Sequence, residues 1–151
     1  MADLGVEIKS SFQSEGHKAL LNLKYTANYI NGIGNEYLKE FNISSAQYNI
    51  LRILRGSGEA LAVQEVRNRM VEKSPNTTRL LDKLVLKNLV HRDRNKTDKR
   101  IVEVKITSEG LALLDQIKLE WFEDLYTALS EKEFKEFNRM LDVLRDFNPN
   151  K

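Results

Sequence analysis

The chain contains no cysteine, and only two of its 151 residues are proline. The absence of cysteine excludes disulfide bonds, thiolate metal ligands and redox sensing through cysteine. The scarcity of proline leaves long stretches in which helices can continue without interruption. A reducing, cytoplasmic compartment is the expected location, since a cysteine-free chain fits it.

Long apolar runs and enzyme motifs are also missing. No run approaches the ~20 apolar residues that a membrane-spanning helix requires. Residues 1–11 lack a basic region followed by an apolar block, so we expect no secretory signal. The sequence has no glycine-rich phosphate loop, no nucleophile elbow and no HExxH motif. We therefore expect no membrane association, no enzyme activity and no catalytic residues.

Metal ligands are scarce. His17 and His91 are the only histidines, and they lie far apart in the sequence. A metal site needs several ligands that converge, and no cysteine is present to support these two. We expect no metal site and no cofactor.

Positive charge is concentrated in the middle of the chain. Arg67 to Lys105 contains 12 basic and 5 acidic residues, a net charge of +7, whereas the whole chain carries +2. Residues 1–66 carry −1 and residues 111–151 carry −3. A basic centre between mildly acidic flanks favours a polyanion as the partner of the centre.

Hydrophobic periodicity predicts a mainly α-helical chain with a small β-hairpin. Apolar residues at steps of three and four predict helices at 17–41, 44–56, 64–72, 75–88, 108–128 and 130–147. Two capping boxes, Ser44 to Gln47 and Ser130 to Glu133, mark helix starts. Alternation over 102–106, with 92–94 as the antiparallel partner and 95–98 as the turn, predicts the hairpin, and 61–63 predicts a minor strand.

The order of these elements predicts a winged helix-turn-helix domain. Such a domain consists of a helix-turn-helix followed by a β-hairpin, and the predicted domain occupies residues 44–107. Residues 1–43 and 108–151 form the flanking helical region. Each terminal helix carries one apolar stripe that a small winged domain cannot cover, so we expect these helices to mediate self-association.

The helix that begins near Pro75 is the expected DNA reader. A helix fits the major groove of duplex DNA, and its first residues reach the base edges. Ser74 is its expected N-cap. The leading turns are expected to expose short hydrogen-bonding groups and cations: Ser74, Asn76, Thr77, Thr78, Arg79 and Lys83.

The basic hairpin is the expected clamp for the minor groove and its flanking phosphates. Its candidate contacts are Arg92, Arg94, Lys96, Lys99 and Arg100. Asp98 is expected to brace Arg100 rather than to touch DNA. A basic amphipathic helix is often only a solvated face, so a protein-interaction module that binds an acidic partner remains an alternative.

Four runs of residues resemble the MarR (multiple antibiotic resistance regulator) family of bacterial transcription factors. They are SPNTTRLLDKL from Ser74, LVHR from Leu89, DKR from Asp98 and ITSEG from Ile106. The resemblance extends over nearly the whole chain. Asn88 stands where the family often has glycine, and Ile106 where it often has leucine, and neither change affects the DNA-binding interpretation.

The resemblance implies a homodimeric repressor that binds a pseudo-palindromic operator in double-stranded DNA. Two recognition helices would enter successive major grooves, roughly 34 Å apart. Many members respond to a small anionic or phenolic effector. The candidate pocket residues are aromatic or basic: Tyr25, Tyr29, Tyr48, Arg52 and Trp121. Aromatic residues at helical spacing are, however, more often core or interface residues.

Overall fold

The computed structural model of the chain describes residues 3–72, 76–118 and 123–147. Within these residues, the secondary structure consists of helices and three short strands. The elements, in chain order, are α1 (Leu4–Glu7), α2 (Glu15–Leu38), α3 (Ser45–Ser57), β1 (Leu61–Ala62), α4 (Val63–Arg69), α5 (Thr77–Leu86), β2 (Val90–Arg94), β3 (Val102–Ile106), α6 (Ser108–Gln116), α7 (Glu123–Tyr126) and α8 (Glu131–Asp146). A mainly helical chain with a small β-hairpin is therefore confirmed.

The three strands form one antiparallel sheet in the order β1-β3-β2. Val90 pairs with Ile106 at one end of the hairpin, and Arg94 pairs with Val102 at the other. The minor strand predicted at 61–63 is present as β1, in which Leu61 pairs with Val104. The hairpin loop covers 95–101, which is longer than the predicted four-residue turn.

Side-chain caps fix the helix starts as the sequence predicts. In both predicted capping boxes the serine hydroxyl accepts from the third residue's N–H, and the side chain of Gln47 or Glu133 accepts from the serine N–H. The predicted left-handed backbone at Asn88 is also present, with φ of 56°. Local sequence therefore sets these boundaries without help from the tertiary fold.

α3 lies at the centre of the core. Its residues Ile50, Leu51 and Leu54 are at most 1% exposed. α3 contacts α2, α4, α5, α6 and β3, so it joins the N-terminal helix to the winged helix elements. Leu81 and Leu84 of α5 are fully buried in the same core. The helix that carries the DNA-reading candidates is thus held by the best-packed part of the fold.

Three helices end at least three residues before their predicted end. α2 ends at Leu38 rather than at Phe41, because the Leu38 carbonyl accepts from the N–H groups of Phe41 and Ile43 across a left-handed Asn42. α4 ends at Arg69 because Met70 becomes extended and buried. The continuous helix expected over 108–128 ends at Gln116, because Ile117 takes an extended conformation that buries its side chain in the core.

The chain divides into two compact units, residues 1–117 and 118–151. The first contains the winged helix elements with α1, α2 and α6, and the second contains α7 and α8. The expected division into a 44–107 domain and flanking dimerisation helices stays a prediction. No helix within the described residues is long and apolar enough to cross a membrane.

Candidate nucleic-acid interface

α5 presents one polar face and buries the opposite one. Thr77, Leu81 and Leu84 point into the core, whereas Thr78, Arg79 and Lys83 are exposed. In the part of the chain that the structure describes, the side chains of Arg79 and Lys83 form no ion pair or hydrogen bond. Two cations and a hydroxyl are therefore available to a partner on this face.

The expected exposure of Thr77 is wrong. Thr77 is 2% exposed, and its hydroxyl lies 3.6 Å from the sulfur of Met70. Its burial follows from helical periodicity, since Thr77, Leu81 and Leu84 are spaced at steps of four and three and so share the buried face of α5. Thr77 thus anchors the helix start to the end of α4 and is not available to a base.

The start of α5 differs from the expected one. The helix begins at Thr77, and Asn76 occupies the N-cap position without a side-chain cap hydrogen bond. Asn76 is exposed. Ser74 and Pro75, the expected N-cap and first helical residue, lie outside the described residues. Just after α4, the Val71 N–H donates to Oδ1 of Asn49 at 3.2 Å.

The hairpin loop is organised by Asn95. Its Oδ1 accepts from the N–H groups of Thr97 and Asp98, at 2.8 and 2.9 Å, and its Nδ2 donates to Glu103 at 2.6 Å. Arg94, Lys96 and Lys99 are positioned around this loop, with side chains free of partners among the described residues. The result is an ordered loop that carries three available cations.

Asp98 and Arg100 form a bidentate pair at the same loop. Nε and Nη2 of Arg100 donate to the two carboxylate oxygens, both at 3.1 Å, and the Arg100 N–H donates to Oδ1 at 3.0 Å. The Arg100 guanidinium, with the Arg100 N–H, holds the pKa of Asp98 below its ordinary value of 3.8. Since the Arg100 side chain is 91% exposed, the pair orients a guanidinium that still faces solvent.

Arg92 is not a free cation. Its Nη1 donates to Asp82 Oδ1 at 2.5 Å, and its side chain is 33% exposed. Asp82 lies on α5 and Arg92 on β2, so this ion pair joins α5 to the hairpin. Arg92, expected as a DNA contact, has the geometry of a residue that positions α5 and the hairpin relative to each other.

Sequence reasoning missed Asp82 and Gly110 as parts of this architecture. Asp82 is the lone acidic residue on an otherwise basic helix, which is the signal that could have revealed a partner. A Cβ on Gly110 would lie 2.3 Å from the carbonyl oxygen of Leu89. The start of α6 therefore packs directly on the segment that leads into the hairpin, through the Gly of the ITSEG run.

Of the four expected effector residues that the structure describes, Tyr48 and Arg52 lie together. Tyr25 and Tyr29 are 43% and 60% exposed on α2. On α3, Arg52 Nη1 donates to the Tyr48 hydroxyl at 3.1 Å and its guanidinium lies 5.8 Å from the ring centre. Trp121 lies outside the described residues.

Among the described residues, no group of three or more His, Asp and Glu side chains is placed to hold a metal ion. His91 is exposed on β2, and its Nε2 lies 3.9 Å from a carboxylate oxygen of Asp93. His17 lies on α2, where its Nδ1 accepts from Gln13 N–H at 3.4 Å. The two histidines therefore have local partners in different elements.

Comparisons with known proteins agree with this geometry. The MarR family model matches residues 43–102. The multiple antibiotic resistance protein MarR of Escherichia coli (strain K12) is 34% identical over 97 residues, which cover 64% of this chain and 67% of that protein. The MarR transcription factor of Planctomyces limnophilus has a crystal structure that matches with a TM-score of 0.66 and 32% identity, over 88% of this chain and 99% of the other.

A third match includes DNA. A mutant of Escherichia coli MarR, in a crystal structure with operator DNA, matches with a TM-score of 0.73 and 28% identity, over 95% of this chain and 99% of the other. Because the sequence similarity covers two thirds of a relative at more than 30% identity, and the fold agrees with it, this chain belongs to the MarR family of transcriptional regulators.

Proposed function

We propose that this regulator is a homodimeric repressor that binds a pseudo-palindromic operator. α5 enters the major groove and the hairpin loop reaches the adjacent minor groove. The observation that carries the proposal is the exposed polar face of α5, with Thr78, Arg79 and Lys83 opposite a fully buried apolar face. Repression follows because a dimer seated on a promoter excludes other proteins from the same DNA.

Base reading is assigned to the first turns of α5. Arg79 can donate two hydrogen bonds to the O6 and N7 atoms of one guanine, which is the commonest specific contact in the major groove. Asn76 and Thr78 are short donors and acceptors beside it. The E. coli relative that was crystallised with operator DNA supports this placement through its similar fold.

Phosphate and minor-groove contacts are assigned to the hairpin. Arg94, Lys96 and Lys99 surround an ordered loop, and Arg100 is oriented by Asp98. A narrow minor groove has an enhanced negative potential that attracts inserted arginine and lysine side chains. These contacts would fix the register of α5 on the duplex without themselves reading most of the sequence.

The dimer is supported by α8. Its exposed side chains include Phe137, Met140 and Leu144, which recur at steps of three and four along the helix, with 41–51% of each residue exposed to solvent. A stripe of this kind normally packs against another apolar surface. A second copy of the chain supplies one and also doubles the DNA-reading surface, as a two-fold operator requires.

Footprinting on the DNA upstream of the protein's own gene tests the proposal. We expect protection of two half-sites about 10 base pairs apart, centre to centre. Binding should weaken steeply with salt, because each phosphate contact releases counterions. Equal affinity for that DNA and for a scrambled duplex of the same length would favour the protein-interaction alternative.

Release by a small anionic or phenolic effector is part of the proposal. The pair of Tyr48 and Arg52 offers a phenol and a guanidinium side by side on α3. Tyr25, Tyr29 and Trp121 stay candidates for the same role. A loss of operator affinity on addition of benzoate, absent in the Arg52→Ala variant, would support this location.

A further inference from the structure

The segment directly after α4, residues 70–72, contacts several helices at once, and we call it the junction. Met70 is 4% exposed, and its sulfur lies 3.6 Å from the hydroxyl oxygen of Thr77 on α5. The N–H of Val71 donates to Oδ1 of Asn49 on α3 at 3.2 Å, whereas the Val71 side chain is exposed to solvent. The junction is therefore held to α5 by burial of a side chain and to α3 by a backbone hydrogen bond.

The junction also reaches α2, through Glu72. Nδ2 of Asn31 donates to Oε1 of Glu72 at 2.7 Å, across 41 residues of sequence. One turn later on α2, Oδ1 of Asn35 accepts from the N–H of Ser45, the first residue of α3, at 2.9 Å. The two asparagines are four residues apart and so lie on the same side of α2. Two short amide side chains thus connect α2 to the winged helix elements.

The two asparagines lie on either side of a segment of low helix propensity. Gly32 and Gly34 separate them, and glycine is, after proline, the least favourable residue in a helix interior. A Cβ added at Gly32 would meet no atom within 4 Å, apart from its chain neighbours and the nearby helix backbone, so packing does not require glycine there. We expect α2 to bend most easily at these two glycines.

The core holds α2 on only one side of these glycines. None of the described residues of α2 before Gly34 is buried, whereas Gly34 and Leu38 are. The first half of the helix also carries exposed apolar side chains, including Leu20 and Tyr29, which are 52% and 60% exposed. Packing therefore fixes the last turns of α2, and the hydrogen bond of Asn31 connects the part before the glycines to the junction.

We propose that Asn31 is a positioning residue for DNA binding, whose bond to Glu72 sets the orientation of the first half of α2 relative to α5. This rests on the proposed function and on the predicted role of residues 1–43 in dimerisation. In such a dimer, the first half of α2 meets the partner copy while α5 enters DNA. The angle between these two elements then sets the separation of the two α5 helices, which must match the distance between half-sites.

Substitutions at the two ends of the bond isolate its effect. Asn31→Asp keeps the size of the side chain but places one carboxylate opposite another, so the bond is lost. Glu72→Gln keeps an acceptor oxygen for Asn31 and should behave like the unmodified protein. Combining the two substitutions restores the bond in the opposite direction, since the new amide can donate to the new carboxylate. Asn28→Asp is the matched control, because it adds the same charge at an exposed position of α2.

A distance within one chain tests the positioning without DNA. Because the chain has no cysteine, Lys24→Cys and Leu86→Cys provide two unique sites for spin labels, on the first half of α2 and on α5. Subunit exchange with an excess of unlabelled protein leaves only the distance within one chain, and double electron–electron resonance measures it. Asn31→Asp should shift or broaden the distribution of this distance. Asn28→Asp and the combined substitution should leave it unchanged.

A series of duplexes tests the consequence for DNA binding. Each carries two half-sites, and their separation changes in steps of one base pair. Asn31→Asp should reduce the preference for the best separation over its neighbours about fivefold, as expected for the loss of one hydrogen bond. Affinity for a single half-site should be the same in Asn31→Asp and Asn28→Asp. Unchanged far-ultraviolet circular dichroism checks that each variant is folded.

The two measurements distinguish failure of the positioning role from failure of the proposed function. An unchanged distance distribution in Asn31→Asp, or equal effects of Asn31→Asp and Asn28→Asp, would overturn the positioning role whether or not the protein binds DNA. A changed distribution that the combined substitution restores, in a protein that binds no pair of half-sites, would support the role of the bond within the chain and reject the proposed function. A changed distribution with an unchanged preference for half-site separation would overturn the control of operator spacing by Asn31.

Discussion

Asp82 on α5 accepts a hydrogen bond from Nη1 of Arg92 on the first hairpin strand, at 2.5 Å. The two side chains are 51% and 33% exposed, so solvent screens the pair and its contribution to stability is small. Its consequence is geometric. The bond favours one relative orientation of α5 and the hairpin, which the proposed binding of both elements to neighbouring grooves of one duplex requires.

Replacing Asp82 with alanine should therefore separate stability from specificity. We expect the free energy of unfolding to fall by less than about 1 kcal/mol, because the pair is exposed. Affinity for scrambled DNA should rise, since a negative charge is lost and Arg92 is released to reach phosphates. Fluorescence anisotropy with operator and scrambled duplexes measures the ratio of the two affinities. An unchanged ratio of the two affinities would contradict a positioning role, and Asp115→Ala, on α6, is the control for loss of an exposed acid.

Alanine substitutions of Arg79 and of Lys99 should affect DNA binding in two different ways. Arg79→Ala should lower the discrimination between the operator and a duplex altered at one guanine by about 1–3 kcal/mol, because a bidentate base contact is lost. Lys99→Ala should weaken all duplexes alike and reduce the slope of log affinity against log salt by about 1. Competition binding at several salt concentrations measures both. The assignment of base reading to α5 fails if Lys99→Ala alters sequence preference and Arg79→Ala does not.

The pH dependence of the hairpin loop follows from Asp98. The bond from the Arg100 side chain, with the bond from the Arg100 N–H, lowers the pKa of Asp98 from its ordinary value of 3.8. Because the folded pKa is depressed, the stabilisation is present above pH 3.8 and is lost as pH falls through the lower folded value. The loop should thus keep its brace at neutral pH and lose it only in acid.

Carbon NMR of the Asp98 carboxyl group measures this directly. Arg100→Gln should raise the pKa of Asp98 toward 3.8, with part of the shift retained through the Arg100 N–H. Arg94→Gln removes the same charge from the hairpin without touching Asp98, and it should have the smaller effect. Equal effects of the two variants would mean that the overall positive charge, and not the bidentate pair, lowers the pKa.

Gly110 should not tolerate a side chain. A Cβ there would lie 2.3 Å from the Leu89 carbonyl oxygen and 2.7 Å from the Ile106 side chain, so α6 would have to move away from the hairpin. We expect Gly110→Ala to lower the free energy of unfolding by about 1–3 kcal/mol, as overpacking does. Urea denaturation measures this. Gly56→Ala is the control, since apart from its chain neighbours and the nearby helix backbone no atom lies within 4 Å of the added Cβ, and helix propensity favours alanine. Comparable losses in the two variants would refute the steric explanation.

Local signals in the sequence predicted much of the fold. The capping boxes at Ser44 and Ser130, the left-handed Asn88 and the alternation over 102–106 each act within a few residues, and the structure confirms all of them. The end of the helix at Gln116 was not predictable in this way. It depends on the burial of Ile117 in a core assembled from distant elements, and the apolar periodicity continues past it.

The candidate interface shows the same division. The exposed cations of α5 and the hairpin could be listed from their charge and from the periodicity of each element. Thr77, however, was expected on the exposed face of α5 and lies on the buried one. The partner of Asp82 lies ten residues along the chain on a strand. Such contacts between elements depend on packing angles that periodicity does not specify.

The apolar face of α8 should decide the oligomeric state. Leu144 is 51% exposed and lies one turn from Met140, in the stripe that runs from Phe137. Leu144→Glu places a charge where the proposed partner copy packs, and we expect it to raise the dimer dissociation constant at least about tenfold. Lys132→Glu, a larger charge change on the same helix but outside the stripe, should leave the dimer intact. Analytical ultracentrifugation measures both. Because two half-sites require two linked recognition helices, operator affinity should fall with dimerisation in Leu144→Glu, and a monomeric variant that kept full affinity would refute the dimeric mode of binding.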